Sequence, residues 1–189
     1  KGFEFTDDEW EADIIAVNTC CFIGDAKQES INTILEMAEH KKDAKCKVLV
    51  VAGCLAHRYQ DEIIKEIPEV DAFVGTSSYD KIAEMINSVL EEKGITNFVE
   101  DANRLPMVTE ERIVTTPGYY EYLKIAEGCD KRCTYCIIPK VRGSYRSFPV
   151  EYLVKQAEKL VEGGVKEIIL VAQETTLYGV DLYGKKSLP

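Results

Sequence analysis

The chain has 189 residues, of which 46% are hydrophobic, and 23 basic against 33 acidic side chains leave it with a net charge of −10. That apolar content suffices for one or two domains, whereas the acidic balance and the absence of a basic block argue against electrostatic capture of nucleic acid by this segment. No apolar run approaches the ~20 residues of a membrane span, and no signal-peptide pattern opens the chain. Seven cysteines without a secretory signal point to the cytoplasm and to metal rather than disulfides. Because the sequence starts at Lys1 without Met and stops at Pro189 just after a Gly-Lys-Lys-Ser turn, we expect it to be a piece of a longer protein.

In chain order, an acidic turn (Asp7 to Glu11) leads into Asp13 to Val17, an apolar run of the kind buried on both faces of a parallel sheet. Asn18-Thr19-Cys20 ends it. Ile31, Ile34, Leu35 and Ala38 then recur at helical spacing, predicting an amphipathic helix from Asp25 to about Lys41. Lys47 to Ala52 reads as a second buried strand closed by Gly53-Cys54, and a helix over about His57 to Glu66 is stopped by Pro68. Ala72 to Val74 is a third strand, and Tyr79, Ile82, Ala83, Ile86 and Leu90 line a third helix. Alternating strands and helices give an open parallel sheet with flanking helices.

From about residue 91 to Pro117 the sequence is mixed and polar, a connector that places the domain boundary near Pro117, between residues 1–116 and 117–189. Tyr119 to Ala126 is the next strand. Val150 to Glu162 is a helix with Leu153, Val154, Ala157, Leu160 and Val161 on its apolar face, capped by Gly163-Gly164, and Lys166 to Ala172 is a further buried strand. His40 and His57 lie in helical stretches without a ligand pattern and are expected to be surface or satisfied side chains.

Between these elements lies Cys129-Asp130-Lys131-Arg132-Cys133-Thr134-Tyr135-Cys136, three thiols in a CxxxCxxC run. Three buried core thiols would be the plainest reading, because free Cys is often buried. Gly128, the charged residues within the run and Pro139 beyond it describe a loop instead. Zinc normally requires a second distant pair, which the sequence lacks. A four-iron cluster held by three local thiolates leaves one iron open, which suits chemistry rather than electron storage. A non-enzymatic electron carrier stays as an alternative class, but it calls for a fourth local thiolate, and Cys136 is followed by Ile137-Ile138-Pro139.

In the first half, parallel strands end on one edge of their sheet, where ligands of such sheets collect. Cys20 and Cys54 each follow a strand and so reach the same edge from distant points in the chain. On the residues alone they stand equally well as small side chains at strand ends. Cys21 should point away from Cys20 and Cys46 should sit at the far edge, so both are read as structural or incidental.

CxxxCxxC with Tyr135 before its last Cys is similar to the signature of radical S-adenosylmethionine enzymes. The longer run from Ala126-Glu127-Gly128-Cys129 to Pro139-Lys140-Val141-Arg142-Gly143 and Tyr145-Arg146-Ser147 resembles the methylthiotransferases among them. Asn18-Thr19-Cys20, Gly53-Cys54-Leu55-Ala56, Arg58-Tyr59 and Ile67-Pro68-Glu69-Val70-Asp71 resemble the N-terminal domain of the same family. The resemblance implies two 4Fe–4S clusters and S-adenosyl-L-methionine. Cys129, Cys133 and Cys136 would hold the cluster that binds this cofactor, with Tyr135 by its adenine. Cys20 and Cys54 would be ligands of the second cluster, whose third Cys has no counterpart before Cys20. Arg142 and Arg146 are candidates for substrate or cofactor carboxylates, with a solvated surface as the plainer role of Arg146. Residues after 117 would open a partial barrel of six β/α units. Catalysis would then run in two halves: one cofactor molecule methylates a sulfur held at the N-terminal cluster, and a second yields the radical that activates a carbon–hydrogen bond.

Two branches of the family act on different targets, an aspartate of small-subunit ribosomal protein S12 or an adenosine of transfer RNA. Gln173-Glu174-Thr175-Thr176-Leu177-Tyr178-Gly179-Val180-Asp181-Leu182-Tyr183-Gly184 resembles the ribosomal-protein branch. This implies a ribosomal protein as partner, met within an assembled particle, and a reductant such as flavodoxin or ferredoxin. The loop follows a barrel strand, where substrate-facing loops lie. The catalytic side chains are not identifiable from the sequence.

Overall fold

The computed structural model describes residues 2–91, 96–107 and 118–188. The chain divides into two compact units, Lys1–Pro106 and Met107–Pro189. The boundary expected near Pro117 lies outside the described residues.

In the first unit four parallel strands follow one another in the order β1 (Ile14–Thr19), β2 (Val48–Gly53), β3 (Ala72–Val74) and β4 (Thr96–Phe98). Their crossovers are the helices α1 (Gly24–Asp43), α2 (Cys54–Glu66) and α3 (Ile82–Glu91), the last entered through a 3₁₀ turn at Tyr79–Lys81. The expected strand at Asp13 to Val17 is present, shifted to Ile14–Thr19, but it is not buried on both faces. β1 alternates buried and open residues because it lies at the sheet edge, whereas every residue of central β2 is buried. Val48, Val50 and Ala52 of β2 pack with Ala72, Val74, Met85 and Ile86, and Leu49, Val51 and Phe73 fill the opposite face.

The sequence reading did not contain β4. Its three residues Thr96, Asn97 and Phe98 pair with Ala72, Phe73 and Val74. Too short to show a period, they belong to the sheet together with the stretch after them. The Arg104 guanidinium donates to both oxygens of Asp80 and to the Ser77 carbonyl, which ties part of the expected connector to the first unit.

At the N-terminal edge of the sheet Asp71 accepts from the Leu49 amide at 2.7 Å and from Lys41 Nζ at 2.6 Å, pinning the end of α1 to two strands. Cys46 is buried at this edge, as expected for a residue preceding its strand, and burial pushes its thiol pKa up. The acidic turn folds back so that Trp10 meets His40 edge-on at 4.8 Å. His40 is accordingly buried, with its Nε2 3.5 Å from Glu9.

In the second unit β5 (Tyr120–Lys124) pairs in parallel with β8 (Glu167–Val171), and α5 (Val150–Glu162) makes the crossover. This is one β/α unit and its following strand, the opening of a β/α barrel. Between β5 and α5 lie a short antiparallel pair, β6 (Ala126–Glu127) with β7 (Arg146–Ser147), and the helix α4 (Ile138–Arg142), none of which has enough residues to leave a periodic signal. β8 is more open than its apolar sequence suggested, with Leu170 exposed, because β5 is its partner strand among the described residues. A last short helix, α6 (Val180–Tyr183), lies in the loop after β8.

Truncation of Phe73, fully buried at the centre of the first sheet, removes a large side chain from a core with no route to collapse. Phe73→Ala should cost about 3–5 kcal/mol of unfolding free energy, measured as a lowered denaturant midpoint with an unchanged slope.

Candidate metal centres

The CxxxCxxC loop leaves the core through a closed neck. Glu127, 2% exposed, ends β6 and meets Lys124 Nζ at 2.6 Å and Arg142 Nη1 at 3.4 Å. A carboxylate so buried requires cationic partners to offset its lost hydration, and these two come from the strand before the loop and from α4 after it. Gly128 follows with φ +74, and a Cβ there would land on the Ser144 carbonyl oxygen and 2.5 Å from that of Gly143. Only glycine allows this close approach. The Cys129 amide donates to the Gly143 carbonyl at 3.2 Å, and Asp130 accepts from the Tyr145 amide at 3.1 Å.

Beyond the neck the tip opens. Arg132 reverses the chain with φ +47, and the Cys136 amide donates to the Cys133 carbonyl at 2.9 Å, so the last two thiols flank one tight turn. Cys133 is exposed, Cys129 and Cys136 are half-buried, and Tyr135 is 88% exposed. Among the described residues no three His, Cys, Asp or Glu side chains stand together as a ready ligand set. The donor chemistry fits an iron–sulfur cluster nonetheless: three soft thiols share one loop whose backbone is fixed at both ends and whose tip is accessible. Arg142 and Arg146 are each partly exposed and are bonded within the return of the loop. Arg142 serves Glu127, and Arg146 donates to the carbonyls of Ser144 and Arg142, so both brace the return of the loop.

In the first unit Thr19 pairs with Gly53, which places Cys20 and Cys54 at the exits of neighbouring strands. Cys54 opens α2 and is buried, while Cys20 is exposed and its backbone is held by Ser30, which accepts from its amide and donates to its carbonyl. Gly53 has φ +99 and a Cβ there would meet the Thr19 carbonyl oxygen at 2.5 Å, so the position requires glycine. Cys21 is buried and disposed differently from Cys20, but it is not remote from the pair. Burial pushes its thiol up to about 11, and neighbouring Cys54 and Cys20 add to the shift while Arg58 and Lys27 oppose it. Neither cation was predicted at the site: Arg58-Tyr59 was read only as part of the family resemblance, and Lys27 carried no signal.

The sequence comparisons match this division. Residues 1–75 match the Uncharacterized protein family UPF0004, and residues 123–186 match the Radical SAM superfamily. A "Ribosomal protein uS12 methylthiotransferase RimO" of Lachnoclostridium phytofermentans is 65% identical over 189 residues, covering 100% of this chain and 43% of that protein. Proteins of the same name from Acetivibrio thermocellus and Clostridioides difficile are 55% and 51% identical over the whole chain, which covers 43% and 42% of them. Both halves of the chain are thus similar to parts of radical SAM methylthiotransferases. The chain spans about 43% of the length of the curated relatives it matches. Four-iron clusters and S-adenosyl-L-methionine are the cofactors of this family. Among the described residues no helix is long and apolar enough to cross a membrane.

The loop after β8, which carries the sequence likeness to one branch of the family, has two parts with different surroundings. Glu174 forms an ion pair with Lys131 of the cysteine loop and accepts from Thr176. The Lys131 bond, followed by those from Thr176, draws the Glu174 carboxyl down to about 2. The later part is bonded to β7 and to the residue after it. Asp181 accepts from the Ser147 amide at 2.8 Å and its hydroxyl at 2.6 Å, the Gly179 amide donates to the same hydroxyl, and Tyr178 donates to the Phe148 carbonyl at 2.9 Å. Val180 and Leu182 remain exposed between these anchors.

Asp181→Ala leaves the Ser147 amide and hydroxyl, both within a buried residue, without their acceptor. It should destabilise the second unit by about 1–3 kcal/mol, read from thermal unfolding of the full-length protein, with raised amide exchange at Ser147. The Lys131–Glu174 pair has a pH signature. Its folded carboxyl lies below the ordinary 4.5, so its stabilisation is complete above that value and is lost as pH falls toward about 2. NMR titration of the apoprotein should show the Glu174 carboxylate still ionised at pH 4; a midpoint near 4.5 would place Lys131 elsewhere in solution.

Proposed function

We propose that the protein containing this chain transfers a methylthio group to the β-carbon of an aspartate of small-subunit ribosomal protein S12. The observation that carries this reading is identity of 65% across all 189 residues with a relative bearing the name "Ribosomal protein uS12 methylthiotransferase RimO". The Gln173 to Gly184 loop supports the same branch over the one that modifies transfer RNA. In this reading Cys129, Cys133 and Cys136 ligate the cluster that binds S-adenosyl-L-methionine, Tyr135 lies against the adenine, and Cys20 and Cys54 are two ligands of the N-terminal cluster. The boundary between the two family domains is proposed between residues 116 and 117, beyond the Pro106–Met107 division of the two compact units.

When bound, the cofactor and its cluster supply the radical that opens a carbon–hydrogen bond. What the chain contributes is placement. The Glu127 neck fixes where the loop backbone departs, and Cys129, Cys133 and Cys136 would hold the cluster that binds the cofactor. The Lys131–Glu174 pair joins that loop to the loop after β8, where substrate is met in barrels of this type. Placement within about 1 Å matters here, because such an error can cost ~100-fold in rate. The partner is a ribosomal protein in an assembled particle, the reductant is a flavodoxin or ferredoxin, and the protein works in the cytoplasm.

The reconstituted full-length enzyme, incubated separately with small-subunit particles and with transfer RNA, should add the methylthio mass to the ribosomal protein alone. Modified adenosine with unmodified protein would transfer the chain to the other branch. Cys129→Ala should abolish cleavage of S-adenosyl-L-methionine while the N-terminal cluster persists. Replacing Cys20 and Cys54 together should abolish methylthio transfer but not cofactor cleavage, both followed as 5′-deoxyadenosine and modified-peptide yields.

A further inference from the structure

Near Cys20 and Cys54 two cations share one aromatic ring, and Asp25 in the first turn of α1 is not ion-paired with either. Lys27 lies in the first turn of α1, and its Nζ is 4.2 Å from the centroid of the Tyr59 ring. Arg58 Cζ is 5.0 Å from the same centroid. Two cations on one ring repel each other, and the ring returns only about 0.5–1 kcal/mol for each at exposed positions. Among the described residues neither is ion-paired with Asp or Glu. Both stand on the elements that follow the candidate ligands: Arg58 lies four residues after Cys54 in α2, and Lys27 lies in the first turn of the helix that follows Cys20. Backbone geometry leads to the same place. α2 starts at Cys54, Arg58 stands one turn later, and Tyr59 breaks the helical dihedrals with φ −123 and ψ 24. α1 begins a few residues after Cys20 at the same sheet edge, so the positive ends of both helices add to the two side chains.

We infer that Lys27 and Arg58, held together on Tyr59, form a cationic bracket for the negative charge of the N-terminal four-iron cluster and raise its reduction potential. The inference rests on the assignment of Cys20 and Cys54 as ligands of that cluster. Reduction by a one-electron donor adds one negative charge and breaks no bond, so a nearby cation favours the reduced form, and net charge and surroundings are what set such potentials. The bracket acts through the cluster and touches no substrate, which makes Lys27 and Arg58 positioning residues rather than catalytic ones.

The test uses full-length protein in which Cys129, Cys133 and Cys136 are Ala, so that one cluster remains, and titrates it with dithionite under electron paramagnetic resonance. Lys27→Met and Arg58→Met should each lower the midpoint potential, and the double variant should lower it further. Lys27→Arg and Arg58→Lys should keep the parent value. A double Met variant that holds its iron at the parent potential, or loses iron with no shift in what remains, overturns the bracket. Absence of iron in the parent overturns the ligand assignment, and the bracket with it. A second readout needs no iron: in apoprotein, exposed Cys20 should react faster with anionic iodoacetate, relative to neutral iodoacetamide, than it does in the double Met variant. A several-fold fall in that ratio is expected, and an unchanged ratio rejects the bracket.

Discussion

The second unit depends on one buried carboxylate. Glu127 lies in a two-residue strand that could not hold its place by backbone pairing alone, and its desolvated charge is tolerable only while Lys124 and Arg142 are both in reach. This requirement closes the neck of the cysteine loop. With the neck closed, Gly128 can pass against the carbonyls of Gly143 and Ser144, and the thiols are carried on a short exposed tip instead of a long mobile one. A buried charge is a poor source of net stability, but removing either partner is costly, so the loop has one closed arrangement in preference to many open ones.

The first unit reaches a comparable result through topology. No local motif links Cys20 to Cys54; they meet because the parallel register sets Thr19 against Gly53 and because both chains turn into helices at that edge. Each turn is tight for its own reason, with Ser30 holding the backbone of Cys20 and Gly53 avoiding the Thr19 carbonyl. The opposite edge is held by Asp71 and Lys41, so one edge of the sheet carries an ion pair and the other carries the thiols.

Long apolar periods were readable in advance. α5 lies over Val150–Glu162 as its pattern predicts, and the remaining long helices and central strands agree within a few residues. What the sequence did not show was short or relational. β4, β6 and β7 have two or three residues each, below any period, and the bracing of Arg146 depends on the carbonyls of Ser144 and Arg142, which have no sequence signature. The local cysteine motif was plain because its spacing is itself the signal. Lys27 and Arg58 were invisible as a pair, since 30 intervening positions separate residues that one aromatic ring brings together.

The tie between Ser147 and Asp181 has a bearing on how the loop after β8 can change in this fold. Ser147 belongs to the strand that returns from the cysteine loop, and Asp181 belongs to the loop after β8, so the two regions exchange hydrogen bonds across a buried contact. A graft of residues 173–184 from another branch would bring a new partner to an unchanged Ser147. The portable module is therefore discontinuous, comprising that loop together with residues 145–148, and divergence of one segment constrains what the other can become.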